Sequence, residues 1–200
     1  MARSPRLRFG ADYHLFQRGS NGQDLFMEER DYAYFSTLYA RHILPVADTY
    51  AYCLLPNHVH LLVRILTQEE QMSKTPGDGR VLSPGRQFTN LFNAYGKAIN
   101  ETYGRAGRLF QPTFGRVGVT SPLERDFLAV YIHRNPTRHG LVNDFRRWPH
   151  SSYHDPQAIC LLRDKLFPWL GGTSGFEDAH YHQWPVPPEQ IARLAPDDLD

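Results

Sequence analysis

The chain has 200 residues, a formal net charge of +1, 41% hydrophobic residues and two cysteines, Cys53 and Cys160. That is enough for one domain with a sizeable core. The widely spaced thiols match no metal-ligand or redox spacing, and no run approaches the roughly 18 apolar residues of a membrane span. Charge is uneven: residues 1–150 hold 19 Lys and Arg against 13 Asp and Glu, and residues 151–200 hold 3 against 8. A basic body with an acidic end fits a nucleic-acid partner. Nothing indicates export or membrane insertion, so a cytoplasmic, nucleoid-associated location is expected.

Residues 11–18 read as a first strand, ended by the turn cluster Gly19-Ser-Asn-Gly22. A helix follows from Glu28 to His42, with Tyr32, Phe35, Leu38 and Tyr39 at helical spacing, and Pro45 stops it. Residues 48–54 form a second strand, and Leu-Pro-Asn turns it into a third, His58 to Ile65, as a hairpin. The polar run 67–80, with Pro76-Gly-Asp-Gly79, reads as a loop. Ser83-Pro84 caps a long helix to about Tyr103, with Phe88, Leu91, Phe92, Tyr95 and Ile99 on one stripe. A last strand lies near 114–119. Ser121 and Glu124 then make a capping box for a helix that Asn135-Pro136 is expected to close. Beyond Val142 the chain turns irregular. The order implies an α+β fold, a ferredoxin-like antiparallel sheet with helices packed on one face and an irregular C-terminal tail.

The third strand carries the chemistry. Strand side chains alternate, so His58 and His60 share one face, about 6 to 7 Å apart, while Val59, Leu61 and Val63 face a core. Two neutral imidazoles so placed can converge on one divalent cation. By itself such a pair in a buried strand is more often a hydrogen-bonded packing pair. On the late helix, Tyr131 and Asn135 are four apart and share a face. A tyrosine beside an amide oxygen can serve as nucleophile and hard-cation ligand, although alone the pair reads more readily as a core tyrosine and a helix-ending residue.

Taken together, Tyr52-Cys-Leu-Leu-Pro-Asn-His-Val-His-Leu-Leu-Val63, Gly107-Arg-Leu-Phe-Gln111, Tyr131-Ile-His-Arg-Asn-Pro-Thr-Arg-His-Gly-Leu-Val142 and Trp148-Pro-His-Ser-Ser-Tyr153 resemble the REP-associated tyrosine transposases, a branch of the single-tyrosine HUH transposases. The likeness runs from about Tyr13 to Tyr153. It implies a transposase domain over 1–154 followed by an acidic, Pro- and Gly-containing extension over 155–200. It also implies that His58, His60 and Asn135 hold Mg²⁺ or Mn²⁺, and that Tyr131 attacks single-stranded DNA to give a 5′-phosphotyrosine. Where many members read Gly-Arg-Phe-Lys, this chain has Pro112-Thr-Phe-Gly-Arg116, so the basic contacts there differ.

Arg105, Arg108, Phe110 and Arg116, with Arg134 and Arg138 on the nucleophile's helix, are the expected DNA contacts. His133 is two positions from Tyr131, off the nucleophile's face, and could contact a phosphate. His180-Tyr-His182 repeats the His-x-His spacing but sits among Gly and Pro and reads as tail. The expected partner is single-stranded DNA with hairpin structure, cut and rejoined without ATP by a monomer or a homodimer. The competing readings are a non-catalytic binder of structured DNA and a metal-dependent phosphoesterase in which Tyr131 has no covalent role.

Overall fold

The computed structural model describes residues 6–74, 80–154, 162–167, 175–181 and 184–195. Four strands, β1 (Asp12–Arg18), β2 (Ala47–Leu55), β3 (His58–Ile65) and β4 (Gly115–Val119), pair antiparallel in the order β2-β3-β1-β4. Between and after them come α1 (Glu29–His42), α2 (Gln68–Lys74), α3 (Pro84–Thr102), α4 (Pro122–Arg138), α5 (Phe176–Ala179) and α6 (Pro188–Leu194). The β1-α1-β2-β3-α3-β4 succession with this strand order is the ferredoxin-like arrangement expected from the sequence.

The pleat divides the molecule into two cores. Tyr13 and Leu15 of β1, Tyr52 and Leu54 of β2, and Val59, Leu61 and Val63 of β3 pack with Phe35 and Tyr39 of α1 and Phe88 and Tyr95 of α3. The opposite face presents Ala51, Cys53, Leu55 and Leu62 to Leu128, Tyr131 and Ile132 of α4. The expectation of helices on one face therefore holds for α1 and α3, whereas α4 covers the other face. Both surfaces of β2 are buried, which removes the polar-out alternation that a solvated face would have written into the sequence. A register shift between Thr49 and Ala51 places Tyr50 as well as Ala51 on the α4 side.

Three local expectations change. The polar run after Leu66 begins with α2, because Thr67 and Glu70 form a capping box: Glu70 Oε2 accepts from Thr67 N at 2.8 Å and Thr67 Oγ1 accepts from Glu70 N at 3.2 Å. Residues 75–79 of that run lie outside the described residues. Helix α4 does not close at Asn135 but runs through Pro136 to Arg138. Its stop is Gly140, at φ +67°, where Gly140 N donates to Thr137 O (3.1 Å) and Leu141 N to Pro136 O (2.9 Å), a Schellman termination.

The third change concerns the C-terminal part. Leu166, Phe167, Phe176, Ala179, Val186 and Leu194 are buried in the α4 core. His180, read as tail, is fully buried and hydrogen-bonded to His133 at 2.7 Å, so His133 faces this packing instead of a phosphate. The sequence hides this because the segment has no sustained periodicity of its own. Its apolar residues are spaced to fill gaps on α4 and β2. His182 lies outside the described residues.

Candidate active site

Helix α4 crosses the sheet above the imidazole face of β3. Register sets Phe16 opposite His60, His14 opposite Leu62, and Arg18 opposite His58, so His14 of β1 joins the same face as the His-x-His pair. The ring centres of His58 and His60 are 5.0 Å apart, and that of Tyr131 is 5.8 Å from His60 and 6.0 Å from His14. The structure thus brings His58, His60 and Tyr131 together on one side of the sheet. Asn135 lies one helical turn beyond Tyr131 and is fully buried, with its Nδ2 donating to Tyr131 O at 3.0 Å.

The polar atoms left over are informative. His58 Nε2, His60 Nε2 and Asn135 Oδ1 are buried and have no hydrogen-bond partner among the described residues. An orphaned buried acceptor costs on the order of 1 to 3 kcal/mol, so each of the three calls for a partner. Two imidazole nitrogens and one amide oxygen are a donor set that a divalent cation fits, with further coordination positions free for water or phosphate oxygens. Among the described residues no group of three or more His, Cys, Asp or Glu side chains is placed to hold a metal ion.

Burial keeps the imidazoles neutral, as ligands must be. It pushes His58 down to about 3, assisted by nearby His139 and Arg18, and holds His60 well below its usual range, assisted by His14 and His58. His14 is pushed down to about 4 by complete burial. His58 Nδ1 donates to Asn57 Oδ1 at 2.7 Å, which turns its Nε2 toward the site. At the rim, exposed His139 stands with its ring 4.7 Å from His58, and the exposed Arg138 guanidinium carbon is 5.3 Å from the Tyr131 ring centre.

His14 and His139 were not singled out from the sequence. His14 had a signal, a polar residue set between Tyr13 and Leu15-Phe16 in the middle of a strand. His139 had none, because only the run of α4 past Pro136 carries it back to β3.

The expected DNA contacts divide between the two faces. Arg138 stands over Tyr131, while exposed Arg134 reaches His180 O at 3.4 Å. Arg108 and Phe110 line a cleft of about 360 Å³ on the α3 side with Lys97 and Phe92. Arg116 lines a second cleft of about 570 Å³ with Arg6 and Arg86 at the start of α3. Both clefts share Thr89 and Phe114, and neither is lined by His58, His60, Tyr131 or Asn135. Phe110 is 8% exposed and packs against Phe92 and Tyr95, so it supplies wall and not an open stacking face. Arg105 is hydrogen-bonded to Gln23.

No known protein-family profile matches the chain. A Haemophilus influenzae protein assigned by name to the REP-associated tyrosine transposases is 27% identical over 110 residues, covering 54% of this chain. The chain spans 59% of the length of that relative. A solved REP-associated tyrosine transposase bound to a REP hairpin superposes with a TM-score of 0.56 at 19% identity, over 79% of this chain and 86% of that one. The chain is similar to the REP-associated tyrosine transposases, in sequence over about half of its length and in fold over most of it. The likeness to the solved transposase is one of fold. Among the described residues no helix is long and apolar enough to cross a membrane.

Proposed function

We propose that the chain nicks and rejoins single-stranded DNA at hairpin-forming repeats, as a transposase or a descendant that keeps the chemistry, through a 5′-phosphotyrosine on Tyr131. The observation that carries this reading is the crowding of Tyr131 against an imidazole pair whose bare Nε2 atoms, with Asn135 Oδ1, have no partner. The relative bound to a REP hairpin supports hairpin DNA as the substrate class.

His58, His60 and Asn135 would hold one Mg²⁺ or Mn²⁺, which when bound would neutralise charge on a non-bridging phosphate oxygen. Neutral imidazoles at physiological pH leave those nitrogens free to bind it. The Tyr131 oxygen attacks phosphorus in line and gives up its proton to water. The bond from phosphorus to the 3′ oxygen breaks, and that oxygen leaves as a hydroxyl after taking up a proton. Rejoining reverses these steps, so the phosphodiester energy is retained and no ATP is needed. Arg138, exposed beside the phenol, steers the phosphate to the rim and shares its charge. Arg108 and Lys97 at one cleft, and Arg6, Arg86 and Arg116 at the other, supply cations for the DNA backbone.

One observation favours a second reading, that the chain binds hairpins without cutting them: Tyr131 is only 4% exposed. A single gel separates the two. Labelled hairpin-bearing single-stranded DNA is incubated with the protein and Mn²⁺, and a denaturant-resistant adduct is sought that disappears in Tyr131→Phe and with EDTA. Binding with no adduct leaves the binder, and cleavage without an adduct leaves a phosphoesterase.

A further inference from the structure

We propose that the backbone carbonyl of Leu194, acting through His14, fixes His60 in the tautomer that presents a bare Nε2, so that His14 is a positioning residue and the end of α6 belongs to the metal centre. The proposal rests on the reading of His58 and His60 as ligands and adds how one of them is held.

The argument is a count of protons along one line of atoms. His14 Nδ1 lies 2.7 Å from Leu194 O, and His14 Nε2 lies 3.0 Å from His60 Nδ1. A carbonyl can only accept, so the proton of neutral His14 sits on Nδ1 and its Nε2 is bare. The bond between the two rings must then be donated by His60 Nδ1. A neutral His60 with that proton has a lone pair on Nε2, the atom left without a partner at the site. The ring planes are inclined by 21° with centres 5.3 Å apart, which is compatible with an N–H to N bond along the line of centres.

The reverse arrangement fails on both ends. A proton on His14 Nε2 alone would set bare Nδ1 against a carbonyl oxygen at 2.7 Å, two acceptors in contact. A doubly protonated His14 would be a cation at a fully buried position with no carboxylate against it among the described residues.

The carbonyl is available because the last carbonyls of a helix lack intrahelical partners. It is also held in place. Arg193 donates to Gly118 O of β4 at 3.0 Å and pairs with Glu124 at 2.5 Å, Gln190 also donates to Glu124, and Leu194 itself is fully buried. Glu124 lies in the first turn of α4: its amide donates to the cap Ser121 Oγ, and its carboxylate accepts from Thr120 N and Thr120 Oγ1. The carboxylate that anchors the nucleophile's helix therefore anchors the segment that orients the ligand. Fixing a ligand's tautomer through its other nitrogen is the usual office of a metal site's outer residues, and its loss costs about 10- to 100-fold in metal affinity.

The test reads the metal-free protein first. Long-range ¹H–¹⁵N spectra at pH 7.5 are expected to show His14 and His60 both as neutral Nδ1–H imidazoles, and His14 protonated on Nε2 would overturn the proposal. Calorimetric titration with Mn²⁺ follows. His14→Leu is expected to release His60 from the Nδ1–H form and weaken Mn²⁺ by about 10- to 100-fold. His14→Gln, whose amide offers one donor and one acceptor, is expected to restore both. A folded His14→Leu with the His60 tautomer and Mn²⁺ affinity unchanged refutes the relay. If His14→Leu does not fold, the wild-type and His14→Gln spectra still decide it. His58→Ala tests the underlying reading separately: Mn²⁺ binding unchanged in that variant removes the metal site itself, whereas its loss beside an unaffected His14→Leu removes only the relay.

Discussion

Acidification of the metal-free protein should weaken it steeply below about pH 6.5, for a reason that can be worked through one group. An unfolded imidazole takes up its proton near 6.5, whereas native His14 resists until about 4 because burial disfavours the cation. Between those values the unfolded chain binds the proton and the folded chain does not. Stability is then complete above pH 6.5 and falls as pH drops across that window. The gap corresponds to about 3 kcal/mol from His14 alone. His58, pushed down to about 3, and His60, held low as well, act in the same direction. Each contributes a slope of about 1.4 kcal/mol per pH unit, against total stabilities of about 5 to 15 kcal/mol for ordinary domains. Urea unfolding in EDTA at half-unit steps from pH 7.5 to 5 would measure the slope, and His14→Gln should lower it by one proton's share. A flat profile over that range, or one unchanged in His14→Gln, would refute the claim that these imidazoles are neutral because they are buried.

Other outcomes follow from particular contacts. A Cβ on Gly115 would sit 1.9 Å from Phe16 Cε2, so Gly115→Ala should cost about 1 to 3 kcal/mol and become nearly neutral in a Phe16→Leu background, read as a double-mutant cycle of melting temperatures. Gly140→Ala, at φ +67°, should destabilise by about 1 kcal/mol without altering Mn²⁺ affinity. Arg138→Ala should slow adduct formation on hairpin DNA while leaving Mn²⁺ binding as it was, since the guanidinium lies over the Tyr131 ring. Hairpin affinity should fall with salt with a slope near −0.7 per phosphate neutralised, and Arg86→Ala with Arg116→Ala should make that slope shallower.

Much of the frame could be read from the residues because β3 and α3 state their periods openly. His58 to Ile65 alternates between two buried faces, and the stripe from Phe88 to Ile99 belongs to a single helix face. The pairing of Tyr131 with the imidazoles was legible only through the resemblance, since nothing local says that α4 lies across β3. What escaped was non-local. His14 has its meaning from Leu194, 180 positions away, and His180 from His133 across the α4 core. The end of α4 was misplaced for a local reason: Pro136 looked like a stop, yet in the last turn it forfeits one amide bond and the Gly140 termination repairs the rest. Helix α2 was missed because Thr67 and Glu70, a cap signal, were submerged in a polar run.

The stretch after Trp148 runs along the outer side of β2. Leu54 N donates to His150 O, Ser152 N to Tyr52 O, Trp148 Nε1 to Leu54 O and Leu162 N to Thr49 O, while Tyr52 N is taken by Ser152 Oγ. The margin of the sheet next to the hairpin is therefore already occupied by the chain's own backbone. A foreign peptide or a second copy that joins by lengthening the sheet has to add its strand beside β4, and any assembly that grows through β2 must first strip that margin away.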